Sequence, residues 1–139
     1  MACVEVCPDY SYANESNTLC VLSCFPLYAN NQNKSCVSVC PTNTTASNST
    51  YSCQFQCDYG QYELNNVCYN SCTPPRFADN LTRSCVINCP ANLLTFADSS
   101  TNQCVTMCQP SEYAFLSNLT CISNCPLGYY KEITLFLCL

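Results

Sequence analysis

Residues 36–41 read CVSVCP, and the pattern returns at residues 121–126 as CISNCP. Both stretches contain a C-x-x-x-C pair, and such pairs recur at residues 3/7, 20/24, 36/40, 53/57, 68/72, 85/89, 104/108 and 121/125, followed by Cys138. The first cysteines of successive pairs are 15 to 19 residues apart. Self-similarity at a nearly fixed period is the sequence signature of a repeat architecture, so this spacing predicts a tandem array.

Other positions recur together with the cysteines. A β-branched residue follows most first cysteines, as at Val37 and Ile122, and proline stands one or two positions after most second cysteines. An aromatic residue comes four or five positions after the second cysteine, at Tyr12, Tyr28, Tyr62, Phe77, Tyr113 and Tyr130. These residues favour short extended segments, and the polar runs between them favour turns. We therefore expect a mostly irregular fold with short β-hairpins and almost no helix. We also expect the aromatic rings to pack between repeats rather than form a ligand-binding stripe.

Each repeat of about 17 residues is too short to bury a core of its own. Stability must come from its disulfide and from stacking on its neighbours. We expect residues 1–139 to form one continuous array of about eight tandem repeats, an elongated rod that is part of a longer array or filament. The repeats begin near Cys3, Cys20, Cys36, Cys53, Cys68, Cys85, Cys104 and Cys121.

The composition indicates a secreted or cell-surface protein. Seventeen cysteines in 139 residues are typical of a disulfide scaffold in an oxidising compartment. With four basic residues and a net charge of -5, the chain has no electrostatic surface for nucleic acid or anionic lipid. No apolar stretch is long enough to span a membrane, so we expect no direct membrane insertion of this segment.

Covalent glycans are the partner that the sequence predicts most directly. Charged residues make up only 9% of the chain, so surface charge alone does not account for solubility. Six Asn-x-Ser/Thr acceptor sites could carry a hydrophilic cover. They are Asn14, Asn33, Asn43, Asn48, Asn80 and Asn118.

The residue types needed for catalysis are scarce. The chain has no histidine, so the usual acyl-transfer constellations cannot be assembled. Repeated cysteine pairs could bind zinc, but zinc ribbons favour C-x-x-C, basic flanks and a reducing compartment. The nine carboxylates share no repeat position, which indicates solvated surface acids rather than a calcium or glycosidase site. We therefore expect no enzyme activity, no catalytic residues, no metal and no cofactor.

Two disulfide pairing schemes fit the spacing. In the consecutive scheme, the second cysteine of each pair bonds to the first cysteine of the next pair, as in Cys7 with Cys20. In the interlocked scheme, Cys3 bonds to Cys20 and Cys7 bonds to Cys24. Spacing alone leaves both schemes open.

The stretches at residues 36–41 and 121–130 resemble the cysteine-rich repeats of furin-type proteases and growth-factor receptors. The similarity is greatest to the single-disulfide modules of the receptor ectodomains, and long uniform arrays are also similar to repetitive surface proteins of ciliated protists. In those receptor modules the second cysteine of one pair bonds to the first of the next, so the resemblance implies the consecutive scheme. It would join Cys7 to Cys20, Cys24 to Cys36, Cys40 to Cys53, Cys57 to Cys68, Cys72 to Cys85, Cys89 to Cys104, Cys108 to Cys121 and Cys125 to Cys138. Cys3 would then pair with a unit upstream, and the resemblance implies no active site.

The leading hypothesis is a non-catalytic extracellular structural protein: a glycan-coated, disulfide-stapled rod that forms a surface coat or an extracellular fibril. Uniform repeats also predict end-to-end or lateral self-association, because stacking of copies would continue the packing inside the chain. The alternative is a cysteine-rich receptor or adhesin ectodomain that binds a ligand or partner. A binding module would be expected to interrupt the repeat with a long insertion, and the spacing contains none.

Overall fold

The structure is a computed structural model that describes residues 6–15 and 18–139. The chain divides after Tyr69 into two compact units. Cys3, where the first predicted repeat begins, lies outside the described residues.

The described residues of the first unit form four β-hairpins. Hairpin 1 pairs β1 (Tyr12–Asn14) with β2 (Leu19–Val21), hairpin 2 pairs β3 (Tyr28–Asn30) with β4 (Ser35–Val37), hairpin 3 pairs β5 (Thr45–Ser47) with β6 (Ser52–Gln54), and hairpin 4 pairs β7 (Tyr62–Leu64) with β8 (Val67–Tyr69). Within this unit the hydrogen-bonded strand order is β7-β8-β5-β6-β3-β4-β1-β2.

The second unit repeats the same plan. Hairpin 5 pairs β9 (Phe77–Asp79) with β10 (Ser84–Val86), hairpin 6 pairs β11 (Phe96–Asp98) with β12 (Gln103–Val105), hairpin 7 pairs β13 (Tyr113–Phe115) with β14 (Thr120–Ile122), and hairpin 8 pairs β15 (Lys131–Glu132) with β16 (Leu137–Cys138). Its strand order is β15-β16-β13-β14-β11-β12-β9-β10. One short 3-10 helix, η1 (Ala91–Leu93), precedes β11. The predicted fold class, short disulfide-linked β-hairpins with almost no helix, is confirmed.

Each hairpin is closed by one disulfide between its entry segment and its second strand. The bonds are Cys7–Cys20, Cys24–Cys36, Cys40–Cys53, Cys57–Cys68, Cys72–Cys85, Cys89–Cys104, Cys108–Cys121 and Cys125–Cys138. Their Cα–Cα distances lie between 5.3 and 5.6 Å, within the usual range for a disulfide. This is the consecutive pairing, so each bond encloses one hairpin.

A small residue stands opposite the second-strand cysteine in most hairpins. In hairpin 6, Ala97 pairs with Cys104 while Phe96 pairs with Val105. The same alanine-to-cysteine pairs are Ala13 with Cys20, Ala29 with Cys36, Ala46 with Cys53, Ala78 with Cys85 and Ala114 with Cys121. In hairpins 2, 3 and 6 the disulfide and the methyl group form the small buried core, and a larger side chain would compete with the sulfur atoms for that space.

The aromatic residue and the valine of one hairpin cover the core of the next. Tyr12 and Val21 of hairpin 1 pack against the buried Cys24, Ala29 and Cys36 of hairpin 2. Hairpin 2 covers hairpin 3, hairpin 5 covers hairpin 6, and hairpin 6 covers hairpin 7 in the same way, through Tyr28 and Val37, Phe77 and Val86, and Phe96 and Val105. The hydrophobic core is therefore shared between neighbouring repeats, as in solenoids.

A recurring backbone hydrogen bond connects neighbouring hairpins within each unit. The amide of Ala13 in hairpin 1 donates to the carbonyl oxygen of Lys34, just before β4 of hairpin 2, at 2.7 Å. The same bond joins Ala29 to Tyr51, Ala46 to Asn66, Ala78 to Asn102, Ala97 to Leu119 and Ala114 to Phe136, at 2.7 to 2.9 Å. The strands that it joins run parallel, for example β1 with β4.

The accepting residues share an unusual backbone conformation. Each stands two positions before the second-strand cysteine, and each has a positive φ between 50° and 62°: Lys34, Tyr51, Asn66, Asn102, Leu119 and Phe136. A left-handed conformation costs a residue other than glycine about 1–2 kcal/mol. The disulfide two residues later and the alanine hydrogen bond hold this conformation, which aims the carbonyl group at the preceding hairpin.

We predict that Ala97→Leu destabilises the protein by about 1–3 kcal/mol, because added methylenes in a filled core force side chains or backbone to shift. Ala97 is 5% exposed, between the Cys89–Cys104 bond and Phe77 and Val86 of hairpin 5. The matched control is Lys131→Leu, at the position opposite Cys138 in hairpin 8, where the side chain is exposed. Denaturant unfolding of the oxidised protein should show a loss below about 1 kcal/mol for the control. Equal losses in the two variants would contradict a filled core at Ala97.

Candidate functional site

The predicted glycan acceptors lie mainly in the turns of the hairpins. Asn33, Asn48, Asn80 and Asn118 occupy the turns of hairpins 2, 3, 5 and 7, and Asn43 occupies the turn that leads into β5; all five are exposed. Asn14 ends β1 and is half-buried, and Ser16, the third residue of its acceptor site, lies outside the described residues. Five acceptors are therefore accessible, and they are distributed over both units.

The side-chain hydrogen bonds of three of these asparagines are compatible with a glycan. Asn33 accepts hydrogen bonds from the backbone and hydroxyl of Ser35 through Oδ1, and Asn118 accepts one from the Thr120 hydroxyl at 2.6 Å. Asn48 accepts one from the hydroxyl of Tyr28. An N-linked sugar attaches to the amide nitrogen, so these bonds to the carbonyl oxygen can remain after modification.

The repeated aromatic residues contribute mostly to packing. Phe96 and Tyr62 are buried, and Tyr12, Tyr28 and Phe77 cover neighbouring cores. The exception is Tyr130, which is 81% exposed. The sequence pattern missed Phe96, which stands seven residues after Cys89 rather than four or five, because the turn of η1 lengthens this entry segment.

The prediction that the carboxylates are solvated and share no repeat position is wrong for two of them. Asp79 and Asp98 are 1% and 0% exposed, and both are the last residue of a first strand. Asp79 accepts hydrogen bonds from the Leu81 amide and the Thr82 hydroxyl. Buried carboxylates persist when they are fully hydrogen-bonded, so these side chains hold the hairpin turns.

Asp98 receives the largest set of turn hydrogen bonds. Oδ1 accepts from the Ser100 amide and hydroxyl at 2.8 and 2.6 Å and from the Thr101 amide, and Oδ2 accepts from the Thr101 hydroxyl at 2.8 Å. Burial opposes the ionised form, but the side-chain and backbone hydrogen bonds from Ser100 and Thr101 outweigh it and hold the pKa of Asp98 below its ordinary value.

Two grooves of equivalent construction lie on the surface, one in each unit. Their volumes are about 480 and 320 Å³. Groove 1 is lined by Asn14, Glu15, Leu27, Val37 and Val39, and groove 2 by Asp79, Asn80, Leu81, Thr95, Val105 and Met107. In each, the turn of one hairpin faces the valine and the C-x-x-x-C segment of the next. Each groove therefore combines an apolar wall with a predicted acceptor asparagine, Asn14 or Asn80.

Residues 6–15 and 18–139 contain no group of three histidine, cysteine, aspartate or glutamate side chains arranged to hold a metal ion. Within the same residues, no helix is long and apolar enough to cross a membrane.

No protein-family model, curated protein or solved structure matches the chain. The regularly spaced disulfides and the hairpin that recurs with each of them define a cysteine-rich repeat protein. Such a framework is consistent with an extracellular protein.

We predict that Asp98→Ser weakens the acid sensitivity of the fold. Because the folded-state pKa of Asp98 lies below its unfolded value, the stability that its ionised form contributes is present above about pH 4 and is lost as the pH falls through the folded-state pKa. Serine occupies the equivalent position at Ser47, whose hydroxyl accepts from the Thr50 amide, so a turn acceptor is retained. Thermal unfolding from pH 6 to pH 2 should show a shallower acid-induced decrease for the variant. Asp58→Ser serves as the control at an exposed site. If the thermal stability of Asp98→Ser falls with pH as steeply as that of the unmodified protein, this role of Asp98 is disproved.

Proposed function

We propose that this chain is a non-catalytic extracellular structural protein, a glycan-coated and disulfide-stapled array that serves in a surface coat or an extracellular fibril. The observation that carries the proposal is the uniform junction between repeats. In both units, each hairpin joins the next through the same alanine amide, the same left-handed acceptor and the same disulfide core. Such repetition keeps the spacing of the hairpins uniform, as a coat or fibril requires.

A glycan cover is supported by the balance of exposed side chains. Large apolar side chains are exposed in the C-x-x-x-C segments of successive repeats, at Val6, Leu22, Val39, Phe55, Ile87 and Met107. Charged residues make up 9% of the chain. Large exposed apolar areas favour association unless something covers them. Carbohydrate on the exposed acceptors would supply the hydrophilic surface that the few charged residues do not. Lateral packing of copies would bury the apolar side chains that the sugars do not cover.

Self-association is a natural extension of the same packing. Within a unit, neighbouring hairpins contact each other through parallel strands and a shared apolar core. A second copy could use this contact mode end to end, which would produce an open assembly. The sequence resemblance to furin-like and growth-factor-receptor repeats, and to the repetitive surface proteins of protists, also supports an extracellular role.

A receptor or adhesin ectodomain is the second candidate, and hairpin 8 favours it. Its turn is apolar rather than polar, and Ile133 and Leu135 are 69% and 68% exposed. Tyr130 and Leu127 are also exposed close to this hairpin. A hairpin of this kind could dock a partner protein.

The test is to secrete the chain from a eukaryotic host and to map glycopeptides. We expect N-linked glycan at Asn33, Asn43, Asn48, Asn80 and Asn118, and an intact mass above the 15.4 kDa of the bare peptide. Substitution of each asparagine by glutamine provides the matched control, because each variant should lose one glycan. An intact mass equal to that of the peptide would overturn the glycan-coat proposal.

Imaging of the native material then separates the two candidates. Regular layers or filaments containing this protein support the structural role. Single, unassembled ectodomains that bind one soluble partner through hairpin 8 would overturn it in favour of the receptor or adhesin.

A further inference from the structure

The position of Asn80 on the rim of groove 2 suggests where its glycan goes. Asn80 is exposed in the turn directly after β9 and lines the groove together with Leu81, Val105 and Met107. Leu81 and Met107 are 61% and 77% exposed. The apolar wall and the acceptor asparagine therefore belong to the same surface.

The turn that carries Asn80 is held in place. The residue before it, Asp79, is buried and accepts hydrogen bonds from the Leu81 amide at 3.1 Å and from the Thr82 hydroxyl at 2.6 Å. Thr82 is also the third residue of the Asn80 acceptor site. A sugar attached to this turn would leave the backbone in a defined direction, and that preorganisation lowers the entropy lost when it settles on a neighbouring surface.

The chemistry of the groove suits a sugar. Pyranose rings present C–H faces with hydroxyl groups at their edges, so they can contact apolar side chains and hydrogen-bond at the same time. Met107 and Leu81 offer the apolar contact, and Gln103, which also lines the groove, carries an amide. A volume of about 320 Å³ lies at the lower end of the range of small-ligand pockets.

Groove 1 repeats the apolar wall but not the acceptor position, because Asn14 is half-buried and ends β1 as Asp79 ends β9. There the acceptor Asn14 lines the groove opposite Val39, which is 76% exposed and occupies the position equivalent to Met107. The exposed apolar residue that precedes a second cysteine thus lines both grooves, and an exposed acceptor asparagine lines groove 2.

We propose that the N-glycan on Asn80 folds back into groove 2 and covers Met107 and Leu81. This inference rests on the proposed glycan coat and deepens it, because the sugar then shields a particular apolar surface of the array. Leaving Met107 exposed would give an oxidant ready access to its thioether sulfur, and a sugar over the groove restricts that access.

Oxidation of Met107 to the sulfoxide by dilute hydrogen peroxide tests the proposal. In this reaction the thioether sulfur gains one oxygen atom and peroxide is reduced to water. The secreted glycoprotein, its Asn80→Gln variant and an Asn118→Gln control are oxidised in parallel, and peptide mapping follows the fraction of Met107 sulfoxide and the occupancy of each acceptor. We expect oxidation to be several-fold faster in Asn80→Gln than in the glycoprotein, with the Asn118→Gln control matching the glycoprotein. Removal of the glycans from the folded protein by a peptide N-glycosidase should accelerate oxidation in the same way.

Each remaining outcome overturns the inference, and they are distinguishable. Equal oxidation rates with and without the Asn80 glycan would mean that the sugar points away from the groove, while the glycan coat itself would stand. If Met107 is oxidised slowly in every variant at high protein concentration but rapidly after dilution, a second copy of the chain is what covers it. Glycan at the other acceptors but not at Asn80 would remove this site alone, and absence of glycan at every acceptor would also overturn the proposed function.

Discussion

The disulfide that closes each hairpin is the constraint on which the rest of the structure depends. The disulfide and one alanine methyl group form only a small apolar cluster within a repeat, as with Cys89, Ala97 and Cys104. Closing a loop of this size restricts the unfolded chain by roughly 3 kcal/mol on the chain-entropy model. Without that contribution, three-residue strands would not persist, because isolated two-stranded hairpins are marginal in water. The aromatic and valine side chains of the preceding hairpin then complete a core that neither repeat has alone.

The same constraint explains the scarcity of glycine. Leu119 and Phe136 adopt a left-handed backbone conformation, although glycine tolerates it best; the chain has only two glycines, and neither is one of the carbonyl acceptors that join neighbouring hairpins. A conformation of this cost persists where the surrounding structure over-determines it. Here the following cysteine is tied to the entry segment, and the carbonyl group accepts the alanine amide of the neighbouring hairpin. The repeat can therefore vary the side chain at this position while it keeps the junction.

Much of this architecture could be predicted from the cysteine spacing, and what escaped prediction has physical reasons. The period and the β-branched and aromatic residues predicted the hairpins, and the pairing implied by the family resemblance is the pairing in the structure. The alanine opposite the second-strand cysteine in six hairpins was missed because alanine carries no strand signal, although in five of them it follows the aromatic residue, at Tyr12, Tyr28, Phe77, Phe96 and Tyr113. The burial of Asp79 and Asp98 was missed because a short Asp-containing run looks like any exposed turn until the register is known.

For the candidate site, the acceptor motifs could be read directly from the sequence, but the grooves beside Asn14 and Asn80 arise only when two repeats are packed together.

The most direct test of the account is the disulfide map of the secreted protein, obtained by non-reducing proteolysis and mass spectrometry after glycan removal. We expect peptides in which Cys57 is joined to Cys68 and Cys72 is joined to Cys85, with each bond enclosing a single hairpin. Peptides that join Cys53 to Cys68 would place two cysteines of successive second strands in one bond. That result would contradict the hairpin closure, and with it the alanine junctions and the shared cores that depend on it.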